Sequence, residues 1–471
     1  MARATLGVIV GNRDFFPDAL VTEARADILA LFAEMDLEAV LVDDQATKLG
    51  GVETRAEAKV CAELFSRNRD RIEGVVVVLP NFGDEKGVAD TMRMSGLDVP
   101  ILIQAYPDDV TQFGLDRRRD SFCGKISVCS DLRQYGFGYT LTERHTTPVL
   151  SESFKKDLDS FVRTCKVANG MRRARLGAIG TRPDAFKTVR YSEKLLEASG
   201  IAVSVIDLSE VFGKAGKLTD DQAQVAAKLD EVKAHVRHGL VPQDRLVKMA
   251  KLGVVIDDWM AENDLDATAI QCWHSLQETF GVNVCTLMSI MSTKMMPSAC
   301  ETDITGLASM YALQLAAGEP TAIVDLNNNY GDDPDKCVLF HCGNWPLNFY
   351  TEAEMKTAEV LGTTLGADNV WGAIAGRAPA APLTIARIST DDVNGACKAY
   401  VAEGRFVDDP LDTFGARAVV EIPGLQRLLK YICVNGFEHH CAMSAARTGG
   451  AVVEALRTYL KWEVHYEEEA R

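Results

Sequence analysis

Two adjacent histidines, His439 and His440, stand in the stretch NGFEHHCAMS of a chain that has only eight. Histidine is the commonest metal ligand and the side chain that changes charge near neutral pH. The pair carries chemistry only if carboxylates elsewhere share an ion with it; otherwise it is one core or turn residue beside a solvated one. Candidates lie upstream. Glu301 and Asp303 occur in SACETDITG, before the apolar stretch ITGLASMYALQLAAG, and Asp325 closes the apolar run TAIVDL. His341 closes a second such run, VLFH. Burying an unpaired carboxylate is costly, so Asp325 at the end of a buried strand calls for a partner. Asp303 reads as the N-cap of the following helix, where the macrodipole favours negative charge. Glu301 has two readings, the same helix-terminal charge or a member of the site.

The elements that must position these residues alternate between strand and helix. TLGVIVG (5–11), EAVLVDD (38–44), GVVVVLP (74–80) and VPILIQA (99–105) are near-continuous apolar runs, the pattern of strands buried on both faces. Between the first two, residues 17–35 show helical spacing behind a proline. The pattern blurs over 110–160. It resumes with ARLGAIGT (174–181), AVSVIDL (202–208), a polar-faced helix over 219–236 and ATAIQCW (267–273). Beyond about residue 320 short strands such as TAIVDLNNN and KCVLFHCGNW alternate with Gly- and Pro-bearing loops. The fold class expected is α/β: two Rossmann-like doubly wound parallel-sheet domains, then a smaller β-rich, barrel-like C-terminal domain. The boundaries fall at 1–168, 169–315 carrying Glu301, and 316–471 carrying Asp325, His341 and His440.

Composition narrows the function. The chain has 471 residues, 25% of them charged, and a net charge of −17. That balance argues against nucleic acid or an anionic membrane as partner, since both are held by phosphate neutralisation. No apolar run approaches the roughly 20 residues of a membrane span, and the N-terminal stretch reads as a strand rather than a signal peptide. Twelve cysteines without a CxxC pair suit reduced thiols and a cytoplasmic location. The strand–helix turns GVIVGNRDFFPD and GAIGTRPDAF lack G-x-G-x-x-G, and no G-x-x-x-x-G-K-[ST] occurs, so no nucleotide cofactor is expected. Turns at strand ends remain the place where open α/β sheets bind small molecules.

CETD, a helix and then Asp325, 24 positions beyond Glu301, resemble the Glu and Asp segments of L-fucose isomerases. GFEHHC resembles the GGAHHT segment of L-arabinose isomerases, and LRTYLKWEVHYEE resembles their closing LRWNEVYY. The chain thus resembles the L-fucose isomerase/L-arabinose isomerase family of metal-dependent aldose–ketose isomerases, specifically over about 298–345 and 432–466. The resemblance implies that Glu301, Asp325 and His440 hold a metal, with Glu301 and Asp325 also catalytic. It implies that His439 supports its neighbour. His341 matches a ligand of the arabinose isomerases that fucose isomerases lack, which leaves it a ligand or a substrate-facing donor. It also implies a homo-oligomer, trimer or hexamer, whose first domain reaches a neighbouring subunit's site, so that Phe82 would act in trans.

The chemistry suits the residue types. Moving a proton between C1 and C2 of a sugar passes through a cis-enediolate, which needs charge stabilisation at two adjacent oxygens and bases along the proton path. Two carboxylates and an imidazole with open positions suit Mn²⁺, or another divalent ion such as Co²⁺ or Mg²⁺, better than a thiolate-loving one. Further substrate-binding candidates are Trp273, for stacking on a sugar ring, and His274 or Gln277 for its hydroxyls; core and surface roles are the competing readings. Arg182 and Phe186 stand just past a strand end. Arg182 is either a solvated surface cation or a reader of an anionic group on the sugar. The sugars in view are L-fucose, D-arabinose, L-arabinose or a modified hexose such as sulfoquinovose. A non-catalytic sugar sensor and a metal-dependent hydrolase or lyase are the alternative functions.

Overall fold

The computed structural model describes residues 3–467. The chain divides into two compact units, one running up to Asn169 together with Glu454–Lys461, the other comprising Gly170–Val453 and the chain from Trp462 on. In the first unit five parallel strands lie in the order Glu38–Leu41, Thr5–Val10, Gly74–Leu79, Ile101–Ala105, Thr140–Leu141. Thr5–Val10 and Gly74–Leu79 are buried at every position, which is why they read as unbroken apolar runs. Helices Ala19–Glu34 and Arg55–Arg67 pack apolar faces onto the sheet. The second of them opens with a capping box, Thr54 accepting from Glu57 N while Glu57 accepts from Thr54 N.

The second unit contains two sheets. One is four-stranded and parallel, in the order Ala202–Ile206, Arg175–Ile179, Ala267–Ile270, Ser298–Cys300. The other is a mixed nine-stranded sheet. Within it Ala416–Glu421, Lys336–His341, Ala322–Asn329, His440–Ser444, Ala381–Asp391 and Ala396–Val407 pair in succession. The last of these then pairs back onto the first, Arg405 opposite Glu421 and Val407 opposite Val419, so six strands close into a barrel. The α/β class with two parallel sheets and a β-rich, barrel-like C-terminal part is therefore the observed architecture. Several strands of this part are longer than the short ones expected: Ala381–Asp391 and Ala396–Val407 form an antiparallel hairpin in register over all eleven residues of the former.

Side-chain alternation fixes what the barrel presents outward. Ala322, Val324, Cys441 and Met443 fill its core cluster. Asp325 and His440, one residue out of phase with them, therefore face the other side of their strands. Helix Ile304–Ala317 packs near that outer face, where Ser309 Oγ accepts from Ile388 N at 2.7 Å. The helix ends on Gly318 in the left-handed region, where a side chain would be strained.

Candidate functional site

Three barrel strands and three loops of the parallel sheet meet at one point. Asp325 and His440 are directly paired across adjacent antiparallel strands, and His341 ends the strand on the other side of Asp325. Asp325 lies within its strand, which runs on to Asn329, rather than closing it as the sequence pattern implied. Glu301 follows the parallel strand Ser298–Cys300, Trp273 follows Ala267–Ile270, and Phe186 lies in the loop after Arg175–Ile179. All three stand at carboxyl ends of parallel strands, where open sheets place ligands.

His440 Nε2 lies 3.7 Å from Glu301 Oε2 and 3.3 Å from Asp325 Oδ1, while His341 Nε2 is 3.6 Å from Glu301 Oε2. His439 Nε2 is 3.3 Å from Asp325 Oδ1. Each of the sets Glu301–His341–His440 and Asp325–His439–His440 brings its ligand atoms within 4.8 Å of one another, so a metal ion could be held here. One observation fits an ion in place: Glu301 Oε2 is buried with no hydrogen-bond partner among the described residues. Orphaned buried polar atoms are rare and call for an explanation. The donor set is imidazole nitrogen and carboxylate oxygen, which can hold a divalent ion.

The backbone is strained at the centre of this arrangement. Glu301 and Thr302 both adopt left-handed φ values, 54° and 56°, in a position that favours glycine. Their surroundings hold them there. Thr302 N donates to Ile270 O, and Asp303 N to Cys300 O. Trp273 Nε1 and Cys272 Sγ donate to Glu301 Oε1 at 3.1 and 3.3 Å. Burial pushes the Cys272 thiol up to about 12, so it is a neutral donor.

Electrostatics show how strongly these groups depend on each other. Burial would raise Asp325, but hydrogen bonds with His439 and His440 and the charges of His341 and His440 hold it far below the usual carboxylate range. Glu301 is lowered too: burial opposes the shift, while the neighbouring His341 imidazole, with the charge of His440, outweighs it. His440 shows the reverse. Burial alone would lower it, yet hydrogen bonds to Asp303 and Asp325 and the charge of Glu301 raise it to about 10.

Asp303 does more than cap its helix. It accepts from Gly306 N at 2.8 Å as an N-cap, and its Oδ2 lies 2.9 Å from His440 Nδ1. Fully buried Arg387 holds the same carboxylate, with Nη2 to Oδ1 at 3.0 Å, and its Nε donates to Glu438 Oε2 at 3.0 Å. The Arg387 charge, with the His440 bond, keeps Asp303 well below its ordinary range against the opposing effect of burial. An ionised Asp303 accepts a hydrogen bond from Nδ1–H, so that once Nε2 gives up its proton its lone pair faces Glu301 and Asp325.

The family model described as "Fucose/sulfoquinovose isomerase, N-terminal domain" matches residues 7–172, and "L-fucose isomerase, C-terminal domain" matches 339–467. The chain belongs to the fucose/sulfoquinovose isomerase family. It is similar to the sulfoquinovose isomerase of Clostridium sp. (strain MSTE9), 24% identical over 315 residues, covering 64% of this chain and 66% of that protein. It is also similar to the enzymes of the same name from Alkalicoccus urumqiensis, 26% identical over 200 residues (42% and 44%), and Priestia aryabhattai, 27% over 185 (39% and 41%). The chain thus matches less than two thirds of the length of each of these relatives.

The remaining sequence candidates in this family member fall into two groups. Phe186 lies over the histidines, with ring centroids 5.3 Å from His439, 5.6 Å from His440 and 5.7 Å from Trp273. Trp273 and Phe186 together form an aromatic wall beside Glu301. His274 is exposed and touches only the Trp273 ring among the aromatic contacts, and Gln277 is buried against Cys272 O and Asn283. Arg182 turns its Nη1 onto its own loop, donating to Pro183 O at 3.0 Å and Asp184 O at 2.7 Å. It lines a cavity of about 250 Å³ with Tyr191 and Thr302, next to Glu301 in the chain. Phe82 belongs to the first unit, where it stacks with Phe16 and carries the Arg13 guanidinium 4.3 Å from its ring. Sequence reasoning missed Arg387 and Glu438. Their signal was a lone cation in the apolar run LTIARIST and a carboxylate two residues before His440.

Proposed function

We propose that this chain is a metal-dependent ketol isomerase that interconverts an aldose and its ketose, with Glu301, Asp325 and His440 as ligands and the two carboxylates as proton carriers. The observation that supports this most is the convergence of these groups from two different sheets, with His440 turned by Asp303 so that Nε2 faces both carboxylates. A divalent ion here, Mn²⁺ in our reading, would supply Lewis-acid stabilisation of charge at the sugar's O1 and O2. Everything else falls to the chain. Cys272 and Trp273 fix one oxygen of Glu301 and leave Oε2 to take or return a proton. Asp325 stays ionised at neutral pH for the same exchange. The Phe186–Trp273 wall shields the proton path from water and offers a stacking face for the sugar ring. His439, 41% exposed by its side chain, would meet the sugar's hydroxyl groups, and buried His341 would serve as a further ligand or as a substrate-facing donor.

The substrates we weigh are L-fucose, D-arabinose, L-arabinose and an anionic hexose such as sulfoquinovose, the sugar in the names of the relatives. Arg182 would read the anion by leaving its loop carbonyls for a charge-assisted pair. We further read the protein as cytoplasmic, on the strength of twelve free cysteines, and as a trimer or hexamer in which Phe82 completes a neighbour's site. We keep the division at 168/169 and 315/316 as its functional organisation. No helix among the described residues is long and apolar enough to cross a membrane.

The test is proton NMR with a panel of aldoses in D₂O: C2 deuterium uptake and ketose formation are expected, lost on chelation and restored by Mn²⁺ more readily than by Zn²⁺. Full activity in a metal-free preparation, or no exchange with any aldose, refutes the proposal. In the same assay Arg182→Ala should lower kcat/KM for a sulfonated sugar and spare the neutral 6-deoxy analogue. An equal effect on both removes Arg182 from recognition.

A further inference from the structure

Glu301 has two faces. Oε2 points to the imidazoles, but Oε1 points to sulfur: Cys272 Sγ is 3.3 Å away, and Cys272, Cys300 and Glu301 bring one ligand atom each within 4.8 Å of one another. Cys300 in turn contacts the Cys285 thiol. All three cysteines are buried and free. The loop geometry produces this cluster. Cys300 ends one parallel strand, opposite Ile270 on its neighbour, and Cys272 stands two residues beyond Ile270. The proton transfer described above uses only one of these thiols, as a donor to Glu301, and gives no role to the other two.

We propose that Cys272, Cys300 and Glu301 Oε1 form a second cation site, selective for a thiophilic divalent ion such as Zn²⁺ or Cd²⁺, whose occupation captures Glu301 and arrests the neighbouring centre. In a tetrahedral zinc site with Zn–S near 2.3 Å and Zn–O near 2.1 Å, neighbouring ligand atoms lie about 3.4–3.8 Å apart. The Cys272–Glu301 separation is already at that scale, and the widest pair needs to close by about 1 Å, within reach of a small thiol rotation. Two S–H bonds break as two S–metal bonds form, and both protons leave to solvent. The carboxylate binds without losing one. Sulfur selects soft ions, whereas the histidine–carboxylate face suits harder ones. One glutamate therefore joins two sites of opposite preference. The cation site stands on the thiol geometry; only its inhibitory consequence rests on the isomerase reading.

The experiment is titration of the full-length, metal-free protein with Cd²⁺, following the ultraviolet thiolate-to-metal charge-transfer band, after the exposed Cys123 and Cys433 have been blocked by alkylation. One Cd²⁺ per chain should generate the band. The band should persist in His440→Ala, which disables the other face, and vanish in Cys272→Ala/Cys300→Ala. Cadmium-113 NMR of the wild type, which depends on no variant's folding, should show a resonance with two sulfur ligands. In the Mn²⁺-activated protein, one equivalent of Cd²⁺ should lower turnover by about 10²-fold, the loss expected when a general base is removed. Absence of the band, its survival in the double variant, its loss in His440→Ala, or a cadmium resonance without sulfur overturns the site. A band without any Mn²⁺-dependent turnover overturns the isomerase reading and leaves the site standing. Turnover that continues unchanged while the band is saturated overturns the inhibition.

Discussion

Asp303→Asn tests the proposition that His440 is aimed by a buried carboxylate. The substitution keeps the shape and removes one charge from a cluster in which Arg387, with no exposed side-chain surface, lies between Asp303 and Glu438. Breaking a buried pair from one side costs about 3–5 kcal/mol. Glu438 still holds the guanidinium at 3.0 Å, and an asparagine oxygen can keep one of the two Arg387 contacts, so a cost of about 3 kcal/mol, the low end, is expected. The effect on the site is separate. If the asparagine oxygen stays with Arg387, its NH₂ faces Nδ1, and the imidazole must carry its proton on Nε2, which points at Glu301 and Asp325. That is the wrong tautomer for a ligand. Loss of such an orienting partner lowers metal affinity about 10–100-fold. The assay is Mn²⁺ binding by calorimetry on protein shown to be folded by urea denaturation, beside an Asp303→Ala control. A folded Asp303→Asn protein that binds Mn²⁺ within twofold of wild type refutes the positioning argument.

His440→Ala should deplete bound metal far more than His439→Ala, because the first removes a buried donor between two carboxylates and the second a partly exposed one; metal analysis after gel filtration decides, and the reverse order exchanges their roles. Asp325→Asn and Glu301→Gln are near-isosteric and should each lower turnover by about 10²–10⁴-fold with the fold retained; activity within a few fold of wild type removes that residue from proton transfer. In the metal-free protein His440, raised to about 10, is protonated at neutral pH, so binding an ion must expel that proton. Apparent Mn²⁺ affinity should then rise by about tenfold per pH unit up to about pH 10. Calorimetry in buffers of different ionisation enthalpy measures the released proton, and a pH-independent affinity would contradict it.

Legibility in the sequence followed burial. Gly74–Leu79, buried at every residue, was visible as an apolar run, as was Thr5–Val10. Helix Ser121–Gln134 was not, because its pattern is inverted locally: Phe122 and Ile126 are exposed, while Lys125 is buried and donates to Thr142 Oγ1 and His145 O. Barrel closure was not readable in detail either, since the pairing of Arg405 with Glu421 depends on strand order rather than on either segment's composition. At the site, the strand-borne Asp325 stood out as a charge in an apolar run. Asp303 was read as an N-cap, correctly as far as Gly306 goes. Its bond to His440 spans 137 positions and requires Arg387 from a third segment, which no local pattern encodes.

The strain at Glu301 and Thr302 follows from the same geometry. Asp325 and His440 are fixed by strand register, so neither can move toward a partner without disturbing the barrel. The third corner of the site must then come from the parallel sheet, whose strand ends at Cys300. A chain entering helix Ile304–Ala317 directly from that strand needs a sharp turn at 301–302, and two left-handed residues provide it at roughly 1–3 kcal/mol each. Glycine would relieve the strain at 301 but bring no carboxylate. Glutamate brings a side chain whose Oε1 is held by Trp273 and whose Oε2 has no hydrogen-bond partner among the described residues, which supports the role proposed for it above. On this argument Glu301→Gly should fold at least as stably as wild type in the absence of metal while losing turnover, whereas Thr302→Gly should gain stability and keep turnover. Urea denaturation beside the D₂O exchange assay separates the two. A Glu301→Gly protein clearly less stable than wild type would mean that the glutamate holds the turn rather than being held by it.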